Sequence, residues 1–113
     1  MMSMAYEKLT EIKDELSHYQ SPVDHKCCEE LGSLDKSIAW RAASHLSEIL
    51  RTKKLFVIET RVPLIHEFIA TIAPCSTQFS RLYSLLNEAN YWLRHLHREI
   101  IQDSVIKNTG GSQ

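Results

Sequence analysis

Six histidines are the first feature of this 113-residue chain that suggests chemistry. Metal ligands on one helix must lie three or four residues apart to share a face. The candidate pairs with that spacing are Glu15 with His18, His25 with Glu29, and His95 with Glu99. Carboxylate-bridged di-metal bundles need a glutamate three residues before a histidine on two helices, and this chain has that spacing once. The sequence therefore predicts surface histidines, with no metal and no cofactor, and a metal-binding helical bundle is kept as an alternative.

A second candidate is the pair Arg41 and His45, in the segment Arg41-Ala42-Ala43-Ser44-His45. This segment resembles the arginine-then-histidine motif of the HEPN helical ribonucleases over five residues. The family normally spaces the pair more widely and has a polar residue beside the arginine, where this chain has Ala42. The resemblance implies a ribonuclease in which Arg41 binds phosphate and His45 acts as general base.

Arg51, Lys53 and Lys54 form the main basic cluster, with Arg41 and Arg61 nearby. Nucleic-acid-binding proteins usually carry a basic net charge and place aromatic residues among the basic ones. The net charge here is −1, and the cluster itself contains no aromatic residue. We therefore interpret the cluster as a surface for another protein, with a nucleic-acid-binding regulator as the alternative.

Three cysteines, Cys27, Cys28 and Cys75, are an odd number without the spacing of a disulfide framework. Free thiols are typical of a reducing cytoplasm. Cys75 follows Pro74 at a predicted helix start, where backbone dipoles favour a thiolate, but no histidine neighbours it in sequence, so a buried or capping role is expected. Residues 1–7 have no basic segment followed by an apolar run, so we expect no secretory signal, and no apolar run reaches the ~20 residues that span a bilayer. We expect a cytoplasmic protein with no membrane segment.

The elements that position these residues are predicted to be helices. Three glycines and three prolines are too few for the turns of an all-β domain. Apolar residues recur at alternating intervals of three and four, as on one face of a helix, along four segments: Ala5–Tyr19, Ala39–Ile49, Leu55–Ile72 and Phe79–Ile100. The predicted fold is all-α, a four- or five-helix up-down bundle in which residues 1–106 form a single domain and residues 107–113 a flexible tail.

Prolines and glycines set the predicted boundaries. Ser21 and Pro22 begin a short second helix that Gly32 ends. A proline inside a helix costs about 3 kcal/mol, so Pro63 predicts a break at which a new helix begins, with one kinked helix as the alternative. The segment Phe56–Arg61 is rich in β-branched residues and could instead form a short strand.

The last helix is predicted to be the longest, from a cap at Ser76 to about Val105, or about 45 Å. Its apolar stripe reaches Ile100, so either the shorter helices of this chain or a second chain must cover it. Tyr91 lies opposite the stripe, with Trp92 beside it. Adjacent aromatic residues at an outer edge can anchor an interface.

These features favour a non-enzymatic function. We expect a small cytoplasmic protein that binds another protein, or a second copy of itself as a homodimer, and works as an adaptor, inhibitor, antitoxin-like regulator or secretion chaperone. The predicted partner-binding residues are Tyr91, Trp92, Arg51, Lys53 and Lys54. A nucleic-acid-binding regulator and a HEPN-like ribonuclease are the alternatives.

Overall fold

A computed structural model of the chain describes residues 3–22 and 34–111, with side chains described as far as residue 103. Four helices account for most of these residues: α1 (Met4–Ser17), α2 (Leu34–Thr52), α3 (Leu55–Ile72) and α4 (Ser80–Gly111). No strand occurs within the two described segments. The prediction of an all-α bundle with a long C-terminal helix is confirmed, with four helices packed together. The short helix predicted between Pro22 and Gly32 lies, from residue 23 onward, outside the described residues.

α1 is amphipathic and packs against α2 and α4. Ser3 caps it, because its side-chain oxygen accepts a hydrogen bond from the backbone N–H of Tyr6 at 3.0 Å. The hydroxyl of Tyr19, just after the helix, donates to a carboxylate oxygen of Asp35 at 3.0 Å. At the other end, the Nζ of Lys53 lies 4.5 Å from the Tyr6 ring centre. These contacts join the start of each helix to the end of the other, so α1 and α2 are antiparallel. The buried residues of α1 are those of the predicted stripe: Ala5, Leu9, Ile12 and Leu16.

α2 and α3 are joined by the two residues Lys53 and Lys54. Lys53 has a φ of 54°, in the left-handed region. Its backbone N–H donates to the carbonyl of Ile49 at 2.8 Å, which is the bond that closes many helix C-termini. Lys54 is extended and immediately precedes α3. This tight reversal brings α3 back along α2.

α3 continues through Pro63, so the predicted break at that residue is wrong, and so is the strand considered for Phe56–Arg61. Ile58, Ile65 and Ile72 are fully buried on either side of Pro63, whose own ring is exposed. Burying one such side chain contributes about 1.5–3 kcal/mol. Three of them together outweigh the ~3 kcal/mol that an interior proline costs. The core contacts of α3 therefore override the local preference of proline.

α4 begins at Ser80 and not at Ser76, the predicted cap. A 3-10 turn over Ala73–Cys75 follows α3, and the backbone N–H of Phe79 then donates to the carbonyl of Cys75 at 2.9 Å. This turn delays the start of the helix. α4 has 32 residues, or about 48 Å, and ends at Gly111. It therefore includes most of the segment 107–113. The flexibility of that segment stays a prediction.

The apolar stripe of α4 is covered by α1 and α3 of the same chain. The Nε2 of His66 on α3 lies 2.6 Å from the Oδ1 of Asn90 on α4, so the second half of α3 faces the first half of α4. Ile100 is half-buried and Ile101 is 39 % exposed, so the other helices bury the apolar side chains of α4 less completely from residue 100 onward. A second chain is not needed to bury the stripe before that point. The buried residues of α4 are Leu82, Leu85, Leu86, Ala89, Leu93 and Leu96.

Candidate functional site

The predicted aromatic edge is a cluster of three rings on the outer side of α4. Tyr91 is 54 % exposed and meets Trp92 edge-on, with ring centres 5.0 Å apart. His95, which sequence reasoning did not assign to this edge, lies 4.7 Å from Tyr91 and 5.4 Å from Trp92. Residues four apart share one face of a helix, so the sequence spacing of Tyr91 and His95 is enough to predict this contact. Trp92 is half-buried against the core, so Tyr91 is the accessible member.

The predicted basic cluster does not form one free patch. The guanidinium of Arg51 donates to both carboxylate oxygens of Glu48, one of them at 3.3 Å from Nε. That hydrogen bond holds the pKa of Glu48 below its ordinary value, so the carboxylate stays charged and neutralises Arg51. Lys53 points to Tyr6, and Lys54 is exposed at the start of α3. Arg51 and Lys53, two of the three basic residues predicted to bind a partner, therefore contact groups of the same chain.

A groove of about 920 Å³ lies between α3 and α4. Because the two helices are antiparallel, the first half of α3 faces the second half of α4. Val62 and Ile101 are incompletely buried in it, next to the fully buried Ile58 and Leu93. The lining residues are Ile58, Glu59, Val62, Pro63, His66, Leu93, Arg94, His97, Arg98, Ile101 and Gln102. The groove is an apolar channel with polar walls.

The walls of this groove carry an excess of positive charge. Arg94 and Arg98 are one helical turn apart on α4, and the acidic residue of the lining is Glu59. Neither arginine forms an ion pair with any residue whose side chain the structure describes. Pro63 has no backbone N–H, so the carbonyl of Glu59 lacks the usual helical donor at this wall. Sequence reasoning missed the groove because it forms between two helices, although the spacing of the arginines was visible.

A second polar cluster joins α2 to α3 around Arg41 and His45, the pair that resembles the ribonuclease motif. Nη1 of Arg61 lies 2.7 Å from Nδ1 of His45. The His45 ring stacks on Phe68, with ring centres 6.0 Å apart. The guanidinium carbon of Arg41 lies 5.0 Å from the centre of the same Phe68 ring. Phe68 is 5 % exposed, so a buried ring holds both polar groups in place.

The bond between Arg61 and His45 fixes the protonation of the histidine. A guanidinium has only N–H donors, so Nδ1 of His45 is the acceptor and the ring proton lies on Nε2. Burial, and then the charges of Arg61 and Arg41, hold the pKa of His45 below its ordinary value of 6.5. The ring is therefore neutral near pH 7, with neither nitrogen free to accept a proton. The arrangement does not supply the general base that the HEPN resemblance implies unless the bond to Arg61 breaks.

The histidine–glutamate pairs within the described residues do not form a cluster of metal ligands. Among the described residues, no group of three or more histidine, cysteine, aspartate or glutamate side chains is arranged to hold one. His18 lies beside Asp14, with Nδ1 3.7 Å from a carboxylate oxygen, and Glu15 pairs with an arginine of α4. The pair His25 and Glu29 lies outside the described residues.

Two further sequence predictions can be compared with the structure. Cys75 is an exposed free thiol at the end of the 3-10 turn, so of the two roles expected for it, buried or capping, the buried one is wrong. Cys27 and Cys28 lie outside the described residues.

In the part of the chain that the structure describes, none of the helices has the length and apolar character to cross a membrane.

No protein-family model matches the chain, and searches of curated proteins and of solved structures found no match either. The groove, the aromatic edge and the Arg41–His45 cluster are the features of the described residues that bear on function.

Proposed function

We propose that the protein is non-enzymatic and binds another protein, whose acidic amphipathic helix lies in the groove between α3 and α4. The observation that carries this proposal is an apolar channel with two arginines on its wall that have no ion-pair partner among the described side chains. An adaptor, an inhibitor, an antitoxin-like regulator and a secretion chaperone all work through a surface of this kind.

The shape of the groove favours a helix as its occupant. The lining residues of α4 span positions 93 to 102, about 14 Å of helix axis, which is between two and three helical turns. The groove between two packed helices can accommodate a third helix. An amphipathic helix bound in such a groove is a common mode of peptide recognition. Apolar side chains of the ligand would cover Val62 and Ile101.

The charge of the groove favours an acidic ligand. Carboxylates spaced one turn apart on the ligand would meet Arg94 and Arg98, which share that spacing. Arginine is well suited to this contact because its planar fork binds a carboxylate through two parallel hydrogen bonds. Glu59 on the opposite wall would repel a ligand placed with its acids on that side, so the charges also set the orientation.

The aromatic edge supports a second contact with the same partner. Tyr91 is exposed on α4, and tyrosine is among the residues that most often contribute strongly to binding. A nucleic-acid-binding function has less support, because the Arg51 charge is neutralised by Glu48 and Lys53 is turned towards Tyr6.

Selection of displayed helical peptides of about 15 residues against the purified protein tests the proposal. The selected peptides should carry an apolar face with acids at intervals of three or four residues. Arg94→Glu should weaken their binding by about tenfold or more, since a hydrogen-bonded charge pair contributes roughly 1.5–3 kcal/mol. The matched control is Lys36→Glu, the same charge reversal on the exposed side of α2, and it should change binding by less than about twofold.

Two results would overturn the proposal. One is a selected set with no acidic preference. The other is equal loss of binding for Arg94→Glu and Lys36→Glu, which would reflect net charge and not the groove. Sedimentation of the protein alone gives a further test. A dimer that Arg94→Glu dissociates would make a second copy the occupant of the groove and would exclude a foreign helix as its ligand.

A further inference from the structure

The cluster of Arg41, His45 and Arg61 is separate from the groove. It places two positively charged side chains around one histidine without an acid between them. Arg41 and His45 lie one turn apart on α2, and Arg61 reaches them from α3. Neither arginine forms an ion pair with a described side chain. Arg61 instead donates to a neutral imidazole, which leaves its charge uncompensated.

The electrostatics of the cluster favour a dianion. Two guanidinium groups carry two positive charges, and Glu48, an acid on which Arg61 acts, is bound to Arg51. Like charges placed together repel one another, and the charges of both arginines act on His45, so an anion bound at the cluster would relieve repulsion between them. The field of Arg61 is felt at Glu48, whose pKa it helps to lower, and the field of both arginines is felt at His45.

The donors of the cluster match a tetrahedral oxyanion. Arg41 donates no hydrogen bond to a described residue. Arg61 uses one of its N–H groups on His45, and the Nε2–H of His45 is a third donor. A phosphomonoester carries about −1.5 to −2 charge at pH 7 and three strong acceptor oxygens. Its charge equals that of the two arginines, and it has one oxygen for each of the three donor groups. A phosphodiester or a carboxylate has half that charge.

We propose that Arg41, Arg61 and the Nε2–H of His45 bind a phosphomonoester group. Phe68 does not touch the ligand and acts as a positioning residue, because its ring supports both Arg41 and His45. The neutral histidine donates a hydrogen bond and takes no part in proton transfer. This binding role needs Arg61, which lies outside the segment that resembles the ribonuclease motif, and it needs no cleavage of RNA.

Titration by nuclear magnetic resonance at constant ionic strength, at about pH 7.5, where the phosphate is mostly dianionic, tests the proposal. The probes are inorganic phosphate, a short peptide containing phosphoserine, and a single-stranded RNA without terminal phosphates. Phosphate should shift the side-chain Nε–H signals of Arg41 and Arg61 and the ring signals of His45 in a saturable manner. Tighter binding of the peptide than of phosphate would make a phosphorylated protein the source of the group, and equal binding would make it a small molecule.

Arg41→Gln should weaken phosphate binding by about tenfold or more, and because Arg41 is exposed the variant should stay folded. Arg61→Gln should have a similar effect. The control is Lys36→Gln, the loss of one positive charge on the exposed side of α2, with less than about a twofold effect. Equal losses in Arg41→Gln and Lys36→Gln, or shifts that grow linearly with phosphate, would overturn the proposal. Tighter binding of the RNA than of phosphate would overturn it too, because the site would then select diesters.

Discussion

Replacing Pro63 with alanine is expected to stabilise the protein. Because α3 continues through residue 63, alanine restores a backbone N–H that can donate to the carbonyl of Glu59, and it removes the ring that crowds the preceding turn. The gain is up to the ~3 kcal/mol that an interior proline costs. Loss of proline also frees the unfolded chain, which lowers stability by about 0.4–1 kcal/mol. The free energy of unfolding should therefore rise by about 2 kcal/mol.

Urea and thermal unfolding followed by circular dichroism measure this change. For a domain of this size, 1 kcal/mol shifts the Tm by about 4 °C, so Pro63→Ala should raise it by roughly 8 °C. Pro74→Ala is the matched control. Pro74 lies at the start of the 3-10 turn, where the missing N–H has no helical partner to lose. Its replacement should leave the Tm unchanged or lower the stability by up to about 1 kcal/mol.

A fall in the Tm of Pro63→Ala as large as that of Pro74→Ala would refute this reasoning. Pro63 would then begin a helix, as the sequence alone predicts, and α3 would be two helices. Carbon chemical shifts of residues 59 to 63 in the wild-type protein provide an independent check, because they report helical backbone directly.

Four further predictions concern the core, the aromatic edge, the titration of one histidine and the cysteines. Leu93→Ala should lower the free energy of unfolding, measured in urea, by about 2–5 kcal/mol. Leu93 is only 1 % exposed, so its truncation leaves a cavity in the core. Tyr91→Ala should change it by under about 0.5 kcal/mol, and an equal loss would place Tyr91 in the core. The folded protein holds the pKa of His45 below 6.5, so the unfolded chain binds the proton more readily, and stability should fall as the pH drops from about 7 to about 5; His45→Gln should flatten that slope. Reductant should leave the Tm unchanged, because Cys75 is a free thiol and the cysteines are expected to form no disulfide.

The helical class and most of the core follow from the sequence alone. The stripe of α1 and the stripe of α4 both contain the residues that are buried in the structure, because a spacing of three and four puts apolar side chains on one face wherever the helix packs. The position of Tyr91 opposite the stripe of α4, with Trp92 beside it, also follows from the sequence of that helix. These are properties of a single helix, and the chemistry of one segment is enough to predict them.

The continuity of α3, the groove and the Arg41–Arg61 cluster were decided by the tertiary structure. A proline inside a continuous helix costs about 3 kcal/mol, and only the burial of isoleucines on both sides of Pro63 offsets that cost. Arg61 is sixteen residues from His45, so their contact depends on the turn at Lys53 that brings α3 back along α2. A groove or a polar cluster between two helices exists only once their register is set. That register comes from packing over the whole length of the bundle, which no local spacing in the sequence records.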